Sequence, residues 1–258
     1  MKNRDINKKF TAILAMTVIM AVVFPLKACA KEENPIGIIT MTTRASKVAF
    51  YVAGTGDISI EWGDGKRSSM NDGLYNEISQ WFWFSHDYSG ITAHNIVITG
   101  NVTLLYCQHN QLTALDVSKS TAIIELRCSN NQLTSLDVSK NTALEELCCD
   151  QNQLTTLDVS KNNALESLEC NWNQLTRLDV SKNNALTILS IIGNQFTVST
   201  LNDLFRTLPD RIENVNEGGG GGTIYLSYRR EGALAGNPGK VDCDHSIAQK
   251  KGWSFRSW

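Results

Sequence analysis

The sequence predicts a mainly β fold: a solenoid of 21-residue turns, opened by a small β-rich unit and closed by an α+β cap. Three observations predict it. The chain superimposes on itself at a shift of 21, so that Leu105, Leu126, Leu147, Leu168 and Leu189 share one column. A second column holds Cys107, Cys128, Cys149 and Cys170, with Ile191 in the next place, and a third holds Asn110, Asn131, Asn152, Asn173 and Asn194. The flanks do not repeat: alternating, strand-like residues precede the columns and a helix-like apolar spacing follows them.

Residues 1–28 read as an export signal. Lys2, Arg4, Lys8 and Lys9 form a basic start, followed by an apolar run of 15 residues over 10–24. That run falls short of the ~20 residues that span a bilayer. Leu26-Lys27-Ala28-Cys29 resembles a bacterial lipobox, although Lys27 stands where a small or apolar residue is usual. Ala28-Cys29-Ala30 also fits the small-x-small pattern of ordinary signal cleavage. Ala30-Lys31-Glu32-Glu33 resembles the tag that sends some Gram-negative lipoproteins to the outer face of the outer membrane. The resemblance implies a membrane anchor through acylated Cys29, a tether over 29–35 and a surface-exposed outer-membrane lipoprotein. Plain secretion is the alternative.

The whole chain of 258 residues carries a formal charge of −2, but without residues 1–28 it carries 19 basic and 25 acidic side chains. Nucleic acid is therefore not an expected partner, because backbone phosphates demand clustered Lys and Arg.

Residues 36–93 predict a small β unit. Residues 38–44, 47–53 and 57–62 alternate like strands between Gly- and Asp-rich turns. Trp62-Gly63-Asp64-Gly65, with His86-x-Tyr88 downstream, resembles the motif of small polycystic-kidney-disease-type β-sandwiches. Trp81-Phe82-Trp83-Phe84 reads as a strand alternating between core and edge, and stacking on sugars is the sharper alternative. Asn95-Ile96-Val97-Ile98 sits 21 residues before Asp116-Val117-Ser118-Lys119 and reads as the half-turn that begins a solenoid over 94–197.

Within the solenoid, Leu144-x-x-Leu147-x-Cys149-x-x-Asn152-x-Leu154 matches the leucine-rich-repeat signature at each fixed position. The region resembles the leucine-rich repeats of bacterial surface proteins, of broadly internalin-like type. The resemblance implies one short strand per turn, with alternate residues pointing inward. One turn cannot bury its own apolar residues, whereas stacked turns bury a continuous ladder. Leu115-Asp116-Val117-Ser118-Lys119 recurs at 136–140, 157–161 and 178–182, so a second extended segment is expected on the opposite side. Residues 198–258 predict the cap, with Ser199 or Thr200 starting a helix that buries Leu201, Leu204, Phe205 and Leu208 and stops at Pro209. Gly218 to Gly222 reads as a loop, 223–228 as a strand, and Asp244 as the cap of a second short helix.

The chemistry predicted is that of a non-enzyme. The Cys column lacks the paired spacing of zinc sites and reads as buried small hydrophobes, with Cys148 and Cys243 left free or paired. Asp116, Asp137, Asp158 and Asp179 read as turn carboxylates accepting backbone N–H bonds, with a calcium site as the alternative. No phosphate loop, nucleophile elbow or metal-protease spacing occurs, so no catalytic residue, metal or cofactor is expected. The positions that change from turn to turn instead suggest a binding face. They are Tyr106, Arg127, Cys148 and Glu169, then Gln108, Ser129, Asp150 and Asn171, then His109, Asn130, Gln151 and Trp172. Tyr, Trp and Arg are enriched at interface hot spots. The expected function is binding or adhesion at the cell surface, with a protein or glycan ligand. The alternative is an accessory or scaffold component of a cell-surface assembly such as a glycan-capture system.

Overall fold

A computed structural model describes residues 36–76, 80–90, 92–212, 221–227, 237–239 and 242–257. The expected export signal, Cys29 and the tether lie outside the described residues.

The architecture is mainly β, and its strands join one large sheet. Its middle is a parallel stack. Strand β6 (His94–Tyr106) is followed by the three-residue strands β8 (Glu125–Arg127), β9 (Glu146–Cys148), β10 (Ser167–Glu169) and β11 (Ile188–Ser190). Leu105 pairs with Leu126, Leu126 with Leu147, Leu147 with Leu168, and Leu168 with Leu189. All of these leucines have 0% exposure, as do the four cysteines that follow two residues later in each turn. Burial pushes the Cys107 thiol up to about 12, and Cys128 and Cys149 well above their usual range. These thiols are space-filling groups rather than nucleophiles, since the thiolate is the reactive form.

Asparagine holds the turns together. Asn152 donates through Nδ2 to the carbonyls of Cys128 (3.0 Å) and Cys149 (3.1 Å), and its Oδ1 accepts the N–H of Leu133 (3.0 Å). Asn131, Asn173 and Asn194 repeat the arrangement one turn away. The side chain thus satisfies backbone groups that the bend out of the strand leaves without partners. On the opposite side a second row, Asn141, Asn162 and Asn183, donates to carbonyls of the preceding turn. The second extended segment expected there forms a strand in the first turn, over Leu112–Asp116, and no strand ladder in the later turns. Each turn contributes a single backbone bond, such as Gln153 N–H to the Leu133 carbonyl. The Asp column forms local turns: Asp137 Oδ1 accepts Ser139 N–H at 2.9 Å, and Asp116, Asp158 and Asp179 do the same. These bonds hold the carboxyls of Asp116, Asp137 and Asp158 below their ordinary range.

The N-terminal strands extend the sheet antiparallel. Strand β2 (Lys47–Glu61) lies between β6 and β5 (Trp81–Asp87), and β4 (Leu74–Asn76) follows β5 at the edge. Strand β3 (Arg67–Ser69) folds back on β2. The Trp62-Gly63-Asp64-Gly65 motif is a hydrogen-bonded knot. His86 stacks on the buried Trp62 ring at 4.7 Å and meets Asp64 Oδ2 at 2.9 Å. Tyr88 OH donates to the Trp62 carbonyl. Gly63 has φ +80, and a Cβ there would lie 2.5 Å from the Asn95 carbonyl oxygen, so no other residue fits. The half-turn expected at Asn95–Ile98 is not stacked directly beneath Asp116. Strand β1 (Ile38–Thr43) runs between β6 and β7 (Leu112–Asp116), antiparallel to both, and Thr40 faces Val97 on one side and Asp116 on the other. Antiparallel pairing with a distant segment leaves no trace in a repeat, which is why the spacing misled. Asn110 adapts the ladder to this junction: its side chain exchanges two hydrogen bonds with the backbone of Ala49.

At the other end, α1 (Val198–Thr207) buries Leu201, Leu204 and Phe205. It begins earlier than Ser199 or Thr200, because Thr197 caps it in a reciprocal exchange with Thr200. Strands β12 (Gly222–Ser227) and β13 (Trp253–Ser257) add two parallel rungs, with Ile224 beside Leu189. Asn237 continues the asparagine ladder by donating to the Ile191 carbonyl at 2.8 Å. Asp244 caps α2 (His245–Gln249) by accepting Ser246 N–H. The sheet therefore runs unbroken through the boundaries expected near 94 and 198.

Candidate functional site

The outward face of the sheet carries the candidate site. Pleating puts alternate residues of each strand on this face, and backbone pairing puts them in rows across the strands. One row reads Trp83, Tyr51, Tyr106, Arg127, Cys148, Glu169, Ser190. The row two residues earlier in each turn reads Leu104, Glu125, Glu146, Ser167, Ile188.

The predicted residues are brought together to different degrees. Tyr106 and Arg127 are in direct contact, with the guanidinium carbon 4.6 Å from the ring centroid. Arg127 also pairs with Glu146 at 2.6 Å, and Tyr106 OH donates to the Glu125 carboxylate. Trp81 packs edge-on against both Tyr106 (5.1 Å) and Tyr51 (5.4 Å). Glu169 lies two rungs along the row from Arg127, beyond Cys148. The Cys148 thiol is buried and faces Glu146 Oε1 at 3.8 Å.

Asp150 and Asn171 are committed to structure. Asp150 Oδ1 accepts Asn171 N–H at 2.6 Å, while Asn171 Oδ1 accepts Ser190 Oγ and Ile192 N–H at 2.7 Å each. Asn171 is buried, so its variation between turns reports this local bonding rather than contact with a ligand. Burial raises the Asp150 carboxyl to about 6, helped by the nearby Glu169 charge, and burial with the Glu146 charge raises Glu169. Gln108 is half-buried beside this column.

His109 and Trp172 stand in a column with Asn130 and Gln151, and all four have left-handed backbone, φ 51 to 59. The column marks the turn that leaves each strand, and Gly193 (φ +69) ends it. The Trp172 indole lies over Gly193, where a Cβ would be 2.3 Å from the ring. Trp172 remains 40% exposed.

The sequence-based reading missed Glu125, Glu146 and Tyr51, and it offered Trp81 as a sugar-stacking residue without placing it beside Tyr106. Glu125 and Glu146 were findable, since they precede the inward leucine by one residue and so share the face of Arg127. Tyr51 was not, and neither was the placement of Trp81, because both meet the row through antiparallel strands outside the repeats. Among the described residues, no group of three or more His, Cys, Asp or Glu is arranged to hold a metal ion. Among them also, no helix is long and apolar enough to cross a membrane.

Fold and site define a mainly β chain whose repeated strands build one large sheet with an aromatic and charged outward face. No protein-family model matches it, and no curated protein matches it. Among solved structures it is similar to the functional domain of InlJ from Listeria monocytogenes, described as including a cysteine ladder. The identity is 35% over 48% of this chain, with a TM-score of 0.38. This chain covers 24% of the length of that one.

Proposed function

We infer that the chain is a leucine-rich-repeat solenoid serving as a non-catalytic binding protein of the bacterial cell surface. It takes a protein or glycan ligand on the outward sheet face and is anchored through acylated Cys29. The observation that carries the binding reading is the contrast between the two faces of one sheet. The inward row is leucine in every repeat, whereas the outward row sets Tyr51, Tyr106 and Arg127 side by side. A fold needs the first row for stability and has no need of the second, and Tyr, Trp and Arg concentrate interface energy.

The test uses the full chain on arrays of host cell-surface proteins and glycans. Arg127→Ala and Trp172→Ala are each expected to weaken binding to the captured ligand about 10-fold or more, consistent with ~1.4 kcal/mol or above for a hot-spot residue. Unchanged affinity in both variants refutes the assignment to this face. The anchor has its own test. Metabolic lipid labelling is expected to mark the wild type and not Cys29→Ser, and whole-cell protease shaving to remove only the wild type from the cell surface. An unlabelled wild type recovered in the medium means plain secretion.

A further inference from the structure

At the junction where the antiparallel strands meet the parallel stack, the sheet face dips into an open cleft of about 400 Å³. That volume lies within the ~300–1,000 Å³ range of small-ligand sites. Its lining is amphipathic, with Leu104 and Ile124 among the apolar residues. Trp81 supplies an aromatic wall, and Gln80, Thr55, Thr103 and Glu125 supply an amide, two hydroxyls and one carboxylate. We propose that this cleft is a binding site for a neutral saccharide, with a sugar ring stacked on Trp81 and its hydroxyls bonded by Glu125, Gln80 and the two threonines.

Each part of the lining has a matching role. A pyranose presents an apolar C–H face and a polar rim. An indole whose body is held by two neighbouring rings offers a flat surface for the first at little entropic cost. Tyr51 and Tyr106 hold Trp81 in this way. Tyr106 OH occupies one lone-pair position of Glu125, and a carboxylate offers about four, so acceptor capacity remains for sugar hydroxyls. Thr55 Oγ1 accepts from Asn101 Nδ2 at 2.7 Å, which leaves its own proton to donate.

Two observations favour a neutral sugar over other occupants. The surroundings are acidic: Glu125 is followed across the stack by Glu146, and the exposed Glu145 and Glu166 follow Ile124 one and two turns along. The nearby cation, Arg127, is already engaged by Glu146 and the Tyr106 ring. An anionic sugar would meet like charge. A peptide added as a strand needs an open sheet edge. The strands that line the cleft, β2, β5, β6 and β8, each lie between two neighbours in the sheet.

The inference narrows the binding reading above to one ligand class at one end of the face, and it rests on that reading. The experiment titrates the full chain calorimetrically with neutral hexasaccharides of glucose, mannose, galactose and N-acetylglucosamine. Binding of at least one is expected. Trp81→Ala should then weaken it 10-fold or more. Glu125→Gln, which keeps the shape and the bond from Tyr106, should weaken it several-fold at an unchanged melting temperature. Absence of binding by all four, or equal binding by wild type and Glu125→Gln, overturns the proposal. A chain that binds no saccharide but captures a protein through Arg127 and Trp172 loses this inference and keeps the broader reading. Saccharide binding that is lost with Trp81 but indifferent to Arg127 and Trp172 supports the cleft and removes the broader face.

Discussion

Asn152→Ala is expected to destabilise the protein by about 2–4 kcal/mol, because it leaves the buried Leu133 N–H unsatisfied, at ~1–3 kcal/mol, and removes one of two side-chain donors from each of the Cys128 and Cys149 carbonyls. The Leu133 N–H loses its acceptor, and the Cys128 and Cys149 carbonyls lose a donor. Asn162→Ala supplies an internal comparison of the same chemistry. Asn162 donates to the Val138 and Asn141 carbonyls, but its Oδ1 has no partner among the described residues. Its removal orphans no N–H and is expected to cost about 1–3 kcal/mol. Urea denaturation of the two variants against wild type measures both. Equal losses would mean that the strand-side asparagines contribute packing and not the acceptor bond.

The second large effect has the opposite sign. Asp150→Asn is expected to raise stability at pH 7 by about 2–3 kcal/mol, the free-energy equivalent of moving a carboxyl from its ordinary range to about 6. The cause is burial, reinforced by the charge of Glu169. The native state keeps its proton to higher pH than the unfolded chain. Wild-type stability therefore falls as pH rises from about 4 to about 6 and stays lower above that. The asparagine variant removes this fall while retaining an oxygen to accept the Asn171 N–H. Melting curves from pH 3.5 to 8 should converge at the acid end and separate above pH 6. Parallel curves over the whole range would mean that Asp150 is fully solvated when ionised.

The parts of this fold that could be read from the sequence are those governed by identity between turns. A leucine at 147 must meet leucines at 126 and 168, so burial imposes one residue type down the column. The asparagines follow the same logic, since each bonds the turn before it. Where partners are unlike, the signal disappears. Strand β1 wedges between β6 and β7 by pairing 38–43 with residues more than fifty positions away. Asn237 sits 43 residues after Asn194 rather than 21, because the cap loops out before returning to the ladder. For the site, variation between turns marked Arg127 and Trp172, which are open to solvent, and Tyr106, which lies on the outward side of the sheet but is buried under its neighbours. It equally marked Asn171, whose amide is spent on Ser190 and Ile192. Variability alone does not separate a side chain that awaits a ligand from one that has found a local partner.

The asparagine ladder also determines how such a chain can change in length. Each of Asn152 and Asn173 reaches back to a carbonyl 24 positions earlier and accepts from an N–H 19 positions earlier. Deleting or duplicating 21 consecutive residues within the stack hands every one of these groups an equivalent partner. Losing 20 or 22 mispairs every such bond that spans the junction and puts the leucines of the two sides out of register. Slippage of the encoding repeat is therefore tolerated in whole turns alone. The breadth of the outward face grows or shrinks in steps of one rung, ~4.8 Å each, while the two end units stay as they are.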